Sequence, residues 1–271
     1  MERLYRIGEV SELFDLSNET LRNYERAGII SSEHVEGKRY RYYDIVTISK
    51  LIGIRSRRNE GFSIKELQRI YGGVSLGQYR TIVDGIVRRQ ERELERQKSY
   101  LDRMRRIASS IEEAEHRPNA CVLEDSPDLY LLHYRKNNLL DSTGIERIRL
   151  TQWTRNLFWT QNFAEYKLDG SLAGTEEFNV ALAVTPKDAE LLEIDLAAPV
   201  RHHPSVPCVR CSCEREDISS PLENSGIAVD DFIRANRLVP CGNLFSLTVF
   251  GFHEDGRKRT FIDLYIPIRP K

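Results

Sequence analysis

Residues 20–29 read TLRNYERAGI, and residues 38–44 read KRYRYYD. Just ahead of the first stretch, Ser17 is a good helix N-cap, and Glu19 puts a carboxylate into the first turn. Leu21 can face inward, whereas Arg22, Asn23 and Arg26 cannot all be buried. Ala27-Gly28 ends the helix. Upstream, RIGEVSELF (residues 6–14) sets Ile7, Val10 and Leu13/Phe14 at helical spacing. Two short helices with a tight turn between them predict a helix-turn-helix. In the second stretch, Gly37-Lys38 makes a turn between short extended arms, a β-hairpin wing.

Duplex DNA offers phosphates to hold and base edges to read. Arg pairs bidentately with guanine and Asn with adenine. The exposed start of the second helix therefore supplies candidate base contacts from Asn18, Thr20 and Arg22, with Tyr24 and Arg26 on the same helix. In the wing, Lys38, Arg39 and Arg41 suit phosphates. The hydroxyls of Tyr24, Tyr40 and Tyr42 can donate to phosphate while their rings pack.

Working outward, Asp44 caps a third helix carrying Ile45, Ile48, Leu51, Ile52 and Ile54, and Gly61 stops it. Ser63 caps a fourth, SIKELQRIYG. Residues 78–116 hold no proline, and Pro118 closes the run. Val83, Val87, Gln90, Leu94, Gln97, Leu101, Met104, Ala108 and Ile111 follow alternating steps of four and three, a heptad seam. The positions between are mostly Arg, Glu and Lys. Such a helix needs a partner, most simply its own copy in a second subunit, with Val83, Val87, Leu94, Leu101, Met104 and Ile111 as the dimerisation contacts.

The 271 residues suit about two domains. Their 40 Lys+Arg and 41 Asp+Glu, a net charge of −1, make a heavily charged globular surface. No apolar run approaches the roughly 18 residues that cross a bilayer, and MERLYRIGEV lacks a secretory core. A cytoplasmic protein without a membrane partner is expected. Five cysteines do not suggest a disulfide framework.

Residues 120–271 change to short alternating runs. Leu129–Arg135 reads as a strand, Ile145–Phe163 as a helix, and Phe178–Val184 and Leu191–Leu196 as strands. Val206–Cys213 is a strand, Leu222–Arg237 contains a helix, and Leu244–Phe252 and Thr260–Pro267 join across Asp255-Gly256. The pattern is strand–helix–strand–strand, twice, with a groove where the halves meet. In the final strand, Ile262, Leu264 and Ile266 share the face toward helices. Phe261, Asp263 and Tyr265 share the other. A carboxylate between aromatics matches the needs of an organic cation. Phe158, Trp159, Phe163, Tyr166 and Phe250 are candidate walls, with room above the small face of Ala181 and Ala183. Trp153 belongs to the core. Cys208, Cys211 and Cys213 raise the alternative of a thiol or metal sensor, although Cys208 would point away from the other two.

YRIGEVSELFDLSNETLRNYERAGII, RYRYYD and GFSIKEL together resemble the MerR family of transcription regulators. Asn23 departs from an aromatic usual in that family, and Arg39 from a glycine or serine. The resemblance matches Arg22, Tyr24, Tyr40, Arg41 and Tyr43 to recognition-helix and wing positions, and residues 78–116 to an antiparallel dimerisation helix. The last 150 residues, ending in FIDLYIPI, resemble a GyrI-like effector-binding domain, in which Asp263 takes the place of the acidic residue that binds cationic ligands. The fold class implied is α+β: an all-α winged helix-turn-helix (1–76), a long helix (77–117) and a duplicated strand-helix-strand-strand domain (120–271). The function implied is a homodimeric activator. It binds promoter DNA between overlong −35 and −10 elements and realigns them for RNA polymerase when a small-molecule effector binds. Neither a cofactor nor catalysis is expected, latent hydrolysis at Asp263 being the enzymatic alternative.

Overall fold

A computed structural model describes residues 3–34, 37, 40–137, 139–140, 147–167, 178–215 and 223–270. The chain divides into two compact units, Met1–Leu94 and Glu95–Lys271.

In the first unit β1 (Tyr5–Arg6) leads into α1 (Ile7–Phe14) and α2 (Asn18–Arg26), followed by β2 (Glu33–His34), β3 (Arg41–Tyr43), α3 (Ile45–Asn59) and α4 (Ile64–Tyr71). Each cap read from the sequence is present. Ser17 Oγ accepts from the Thr20 amide, Asp44 from Thr47 and Ser63 from Glu66. At Ser63 the Glu66 side chain also accepts from the Ser63 amide at 2.7 Å, closing a capping box. The unit is not wholly helical, because β1, β3 and β2 form a small sheet in that order. Gly28, with φ of 67°, turns the chain out of α2 where a side chain would be strained. The core gathers Val10, Leu21, Ile29, Leu51, Ile54 and Leu67.

One long helix, α5 (Leu76–His116), contributes to both units. Its 41 residues are about 60 Å long at the usual rise. Ile82 and Ile86, which lie off the predicted seam, are buried in the core of the first unit, with Val83 against it. The remaining seam residues Val87, Leu94, Leu101, Met104 and Ile111 are exposed.

The second unit continues with β4 (Cys121–Asp125), β5 (Leu129–Lys136), β6 (Leu139–Leu140), α6 (Arg147–Thr154), β7 (Gln161–Tyr166), β8 (Phe178–Val184), α7 (Pro186–Leu191), β9 (Arg201–His203), β10 (Pro207–Arg215), α8 (Glu223–Ala235), β11 (Leu238–Pro240), β12 (Leu244–Glu254) and β13 (Arg257–Pro270). The main sheet runs β4-β10-β13-β12-β7-β8-β5-β6, with β9 beside β5 and β11 beside β13. The duplicated pattern is there. β5-α6-β7-β8 and β10-α8-β12-β13 are the two repeats, joined edge to edge where β12 pairs antiparallel with β7.

Strand alternation splits the sheet into two faces. Val180, Tyr166, Cys211, Leu264 and Ile266 form a core with Val229 and Ile233 of α8. Leu182 and Val184 continue that face against Trp153 of α6. On the other face Phe163, Ala181, Ala183, Phe245, Leu247 and Tyr265 pack together.

Two expectations are corrected. The predicted helix Ile145–Phe163 is helical only over Arg147–Thr154, and Phe163 lies in a strand. Local polar groups end the helix: the Thr160 hydroxyl donates to the Trp153 carbonyl and the Asn156 amide to that of Gln152. Residues 145 and 146 lie outside the described residues. The predicted strand Leu191–Leu196 is instead the end of α7 and the turn after it. Thr185 caps that helix and Pro186 opens it.

Ile82→Ala is expected to destabilise the first unit by about 2–5 kcal/mol, the usual cost of emptying a buried Ile site. Leu101→Ala should leave each unit's own stability within about 0.5 kcal/mol, as exposed positions do. Urea unfolding at low protein concentration checks both.

Candidate DNA-reading face and effector pocket

In the first unit, the exposed side chains at the start of α2 are Asn18, Glu19 and Arg22, with Thr20 half-buried and Arg26 exposed one turn further on. Arg22 lies 3.6 Å from Glu19, an exposed pair that competes weakly with any other anion. Arg26 folds back onto Glu19 and Asn23. Arg41 is tied to the same helix: its Nε meets Glu25 at 2.9 Å, and the Tyr43 hydroxyl donates to Glu25 at 2.9 Å. Burial first, and then that hydrogen bond, push the Tyr43 hydroxyl well above its usual range. Glu25 therefore couples strand β3 to helix α2, a contact that the basic-aromatic pattern did not reveal.

One predicted phosphate contact is corrected. The Tyr42 hydroxyl is buried, whereas the Tyr24 ring packs in the core as expected. Tyrosine serves equally as core ring and surface donor, and here the pleat and the helical period turn both inward. Tyr40 remains exposed, with Arg6 over its ring at 5.7 Å. Lys38 and Arg39 lie outside the described residues.

In the second unit, a cavity of about 550 Å³ is lined by α5 residues Arg103, Arg106 and Glu113 and by sheet residues Glu124, Arg210, Leu247, Asp263 and Tyr265. Tyr265 brings an aromatic ring to that lining, backed by two buried rings. Tyr265 stacks on Phe245 at 5.1 Å, and Phe245 stacks on Phe163 at 5.3 Å. Within the cavity, the Arg210 guanidinium meets Asp263 at 3.0 Å, Glu124 at 3.1 Å and Glu113 at 3.3 Å. The side chains of Arg210 and Asp263 are only 15% and 18% exposed. Asp263 is thus Arg-paired, yet three carboxylates share one cation. Burial raises the Asp263 carboxyl above its ordinary value despite Arg210, and the charges on Glu113 and Glu124 add to the rise. The same carboxylates outweigh burial at Arg210 and keep it charged.

The cavity brings together Asp263 and Tyr265, which share a face of the final strand, while Phe163 is fully buried and does not line it. It does not gather the other predicted walls. Phe261 and Phe250 stack on each other at 4.5 Å, away from the cavity, with Arg259 over Phe261. Tyr166 faces the α8 core, where its hydroxyl accepts from Arg215 at 2.7 Å. Phe158 stacks on Tyr100 of α5 at 4.4 Å. Trp159 Nε1 donates to Ser99 Oγ at 3.2 Å, and that hydroxyl donates to Asp188 at 2.6 Å. Sequence reasoning missed Arg210, Glu113 and Glu124. The only signal was an Arg standing between the apolar and cysteine positions of a strand.

The cysteines divide as their alternation predicted. Cys208 joins the cavity-side core, and Cys211 and Cys213 the opposite one. No group of three metal-ligating side chains forms among the described residues. Nor is any described helix long and apolar enough to cross a membrane.

The first unit is a winged helix-turn-helix, and the second is a duplicated α+β sheet with a charged cavity. Residues 5–72 match the family described as MerR HTH family regulatory protein. The HTH-type transcriptional regulator HmrR of Rhizobium leguminosarum bv. viciae is 31% identical over 128 residues, which cover 46% of this chain and 93% of that protein. This chain belongs to the MerR family. The mercuric resistance operon regulatory protein of Bacillus cereus is 34% identical over 70 residues, 26% of this chain and 53% of its own length. The chain thus spans about half the length of that relative, and about a third of that of the nodulation protein NolA of Bradyrhizobium elkanii. Among solved structures, the EcmrR–DNA complex in EcmrR-RPo aligns with 98% of this chain and 100% of that one. Its identity is 14% and its TM-score 0.39, a likeness too distant to bear on function.

The charge cluster carries a pH signature. A carboxyl with a raised folded pKa holds its proton where the unfolded chain has released it, so its contribution to stability falls as pH rises through that window. The window opens at the ordinary aspartate value of about 3.9 and extends upward. The stability of wild type relative to Asp263→Asn is expected to fall as pH rises from about 4 toward 7. Denaturant melts at several pH values measure it, and a pH-independent difference would contradict the assignment.

Proposed function

We propose that this chain is a ligand-responsive DNA-binding transcription regulator that works as a homodimer. The α2 face with Asn18, Thr20 and Arg22 reads base edges of a promoter, while Arg41 and Tyr40 of the wing steady the phosphate backbone. The exposed seam of α5, Val87 through Ile111, takes the same helix of a second subunit. Two readers then sit on one two-fold operator. The effector binds in the cavity of the second unit, and its favoured form is a lipophilic organic cation. Asp263, Glu113 and Glu124 offer such a ligand charge, and Tyr265 offers a π-face. The ligand-bound dimer activates by distorting an overlong promoter spacer for RNA polymerase, a deformation costing on the order of a few kcal/mol.

The observation that carries the reading is the double use of α5. Its Ile82 and Ile86 sit in the core of the reader unit. Its Arg103 and Glu113 line the cavity. One continuous helix thereby contributes residues to both units.

The test uses the full chain. Operators are first selected from a random duplex pool, and transcription by bacterial RNA polymerase is then run from the selected site with and without tetraphenylphosphonium. The expected result is an enriched inverted-repeat site whose transcript rises severalfold with the cation. No enrichment would contradict the reader, and enrichment with an unchanged transcript would contradict the ligand response.

A further inference from the structure

Strand β4 pairs with β10 so that Cys121 lies directly opposite Cys211. The Ser212 amide donates to the Ala120 carbonyl at 3.3 Å, which makes the adjoining pair the hydrogen-bonded one. In an antiparallel ladder the two kinds of pair alternate, so Cys121 and Cys211 form a non-hydrogen-bonded pair. Such pairs hold their Cα atoms about 4.5 Å apart with side chains close together on one face. Disulfides accept Cα separations of about 4.4–6.8 Å, so this pair can close with little backbone movement. Both thiols aim at the same acceptor, the Asn119 carbonyl, at 3.6 Å each. Cys213 shares their face but has no cysteine opposite, and Cys208 lies on the other face.

We propose that Cys121 and Cys211 form a reversible disulfide site, closed by exchange with an oxidised low-molecular-weight disulfide such as oxidised glutathione.

The two thiols have different parts. Cys121 is half-buried and Cys211 fully buried, so the reagent meets Cys121 first. The hydrogen bond from Cys211, aided by the Arg210 charge, lowers the Cys121 thiol below its usual range. The same contact, together with burial, raises Cys211. The Cys121 thiolate attacks one sulfur of oxidised glutathione. That S–S bond breaks, and one glutathione leaves and takes up the Cys121 proton. Cys211 then attacks the Cys121 sulfur, expelling the second glutathione, which takes the Cys211 proton. Two cysteines are oxidised and one glutathione disulfide is reduced. Cys121 begins the strand that follows the end of α5 at His116, so the bond staples the exit of the long helix to the sheet.

The experiment treats the full-length reduced chain with oxidised glutathione, then alkylates it and maps the peptides by mass spectrometry. The expected product is a Cys121–Cys211 cross-link, with the loss of two hydrogens and reversal by dithiothreitol. Cys211→Ser should stop at a stable glutathione adduct on Cys121. A persistent adduct on Cys121 in the wild type would overturn the proposal. So would linkage of Cys121 to Cys213 or Cys241, or unreacted Cys121 and Cys211.

Discussion

The second unit depends on one guanidinium held by three carboxylates. Arg210 of β10 meets Asp263 of β13, Glu124 of β4 and Glu113 of α5. Removing one partner of a buried pair costs about 3–5 kcal/mol, because the other charge is left uncompensated. Here the arginine serves more than packing. Three carboxylates against one cation leave the cluster net negative, and Asp263 holds its proton more tightly for that reason as well as for its burial. α5 adds Arg103, Arg105 and Arg106 to the same cavity lining, so positive side chains border the cluster.

A second polar fastener works at the other half of the duplicated sheet. Ser99 of α5 donates to Asp188, whose carboxylate also accepts from Thr185, and Trp159 donates to Ser99. Together with Glu113, this places α5 contacts on both repeats, on either side of the β7–β12 junction. The helix is also the element whose seam stays exposed within a single chain, and which contributes Ile82 and Ile86 to the reader's core. Positioning, rather than DNA contact alone, is the work this architecture suits.

Much of the fold was legible because its signals are local. Ser17, Asp44 and Ser63 announce helix starts by residue type, and the apolar alternation of Ile262, Leu264 and Ile266 chooses a face of the sheet without reference to anything distant. The failures have physical causes. Phe158 and Phe163 extend an apparent helical period, but side-chain hydrogen bonds from Asn156 and Thr160 end the helix first. The alternation in Leu191–Leu196 masked the Thr185-Pro186 start of a helix. The cavity was half legible. Asp263 and Tyr265 share a face by pleat alone, whereas Arg210 meets Glu113 across 97 residues of sequence and no local pattern marks such a pair. Tyr42 shows the reverse error, a surface role read from residue type for a hydroxyl the core had already taken.

The central claim, that the cavity between the far half of α5 and the sheet is where an effector acts, is tested most directly by hydrogen–deuterium exchange. The full chain is compared with and without tetraphenylphosphonium. The account predicts added protection in the α5 segment around Arg103 to Glu113 and in the strands carrying Leu247 and Asp263. Protection confined to other segments, or none at saturating cation, would contradict it.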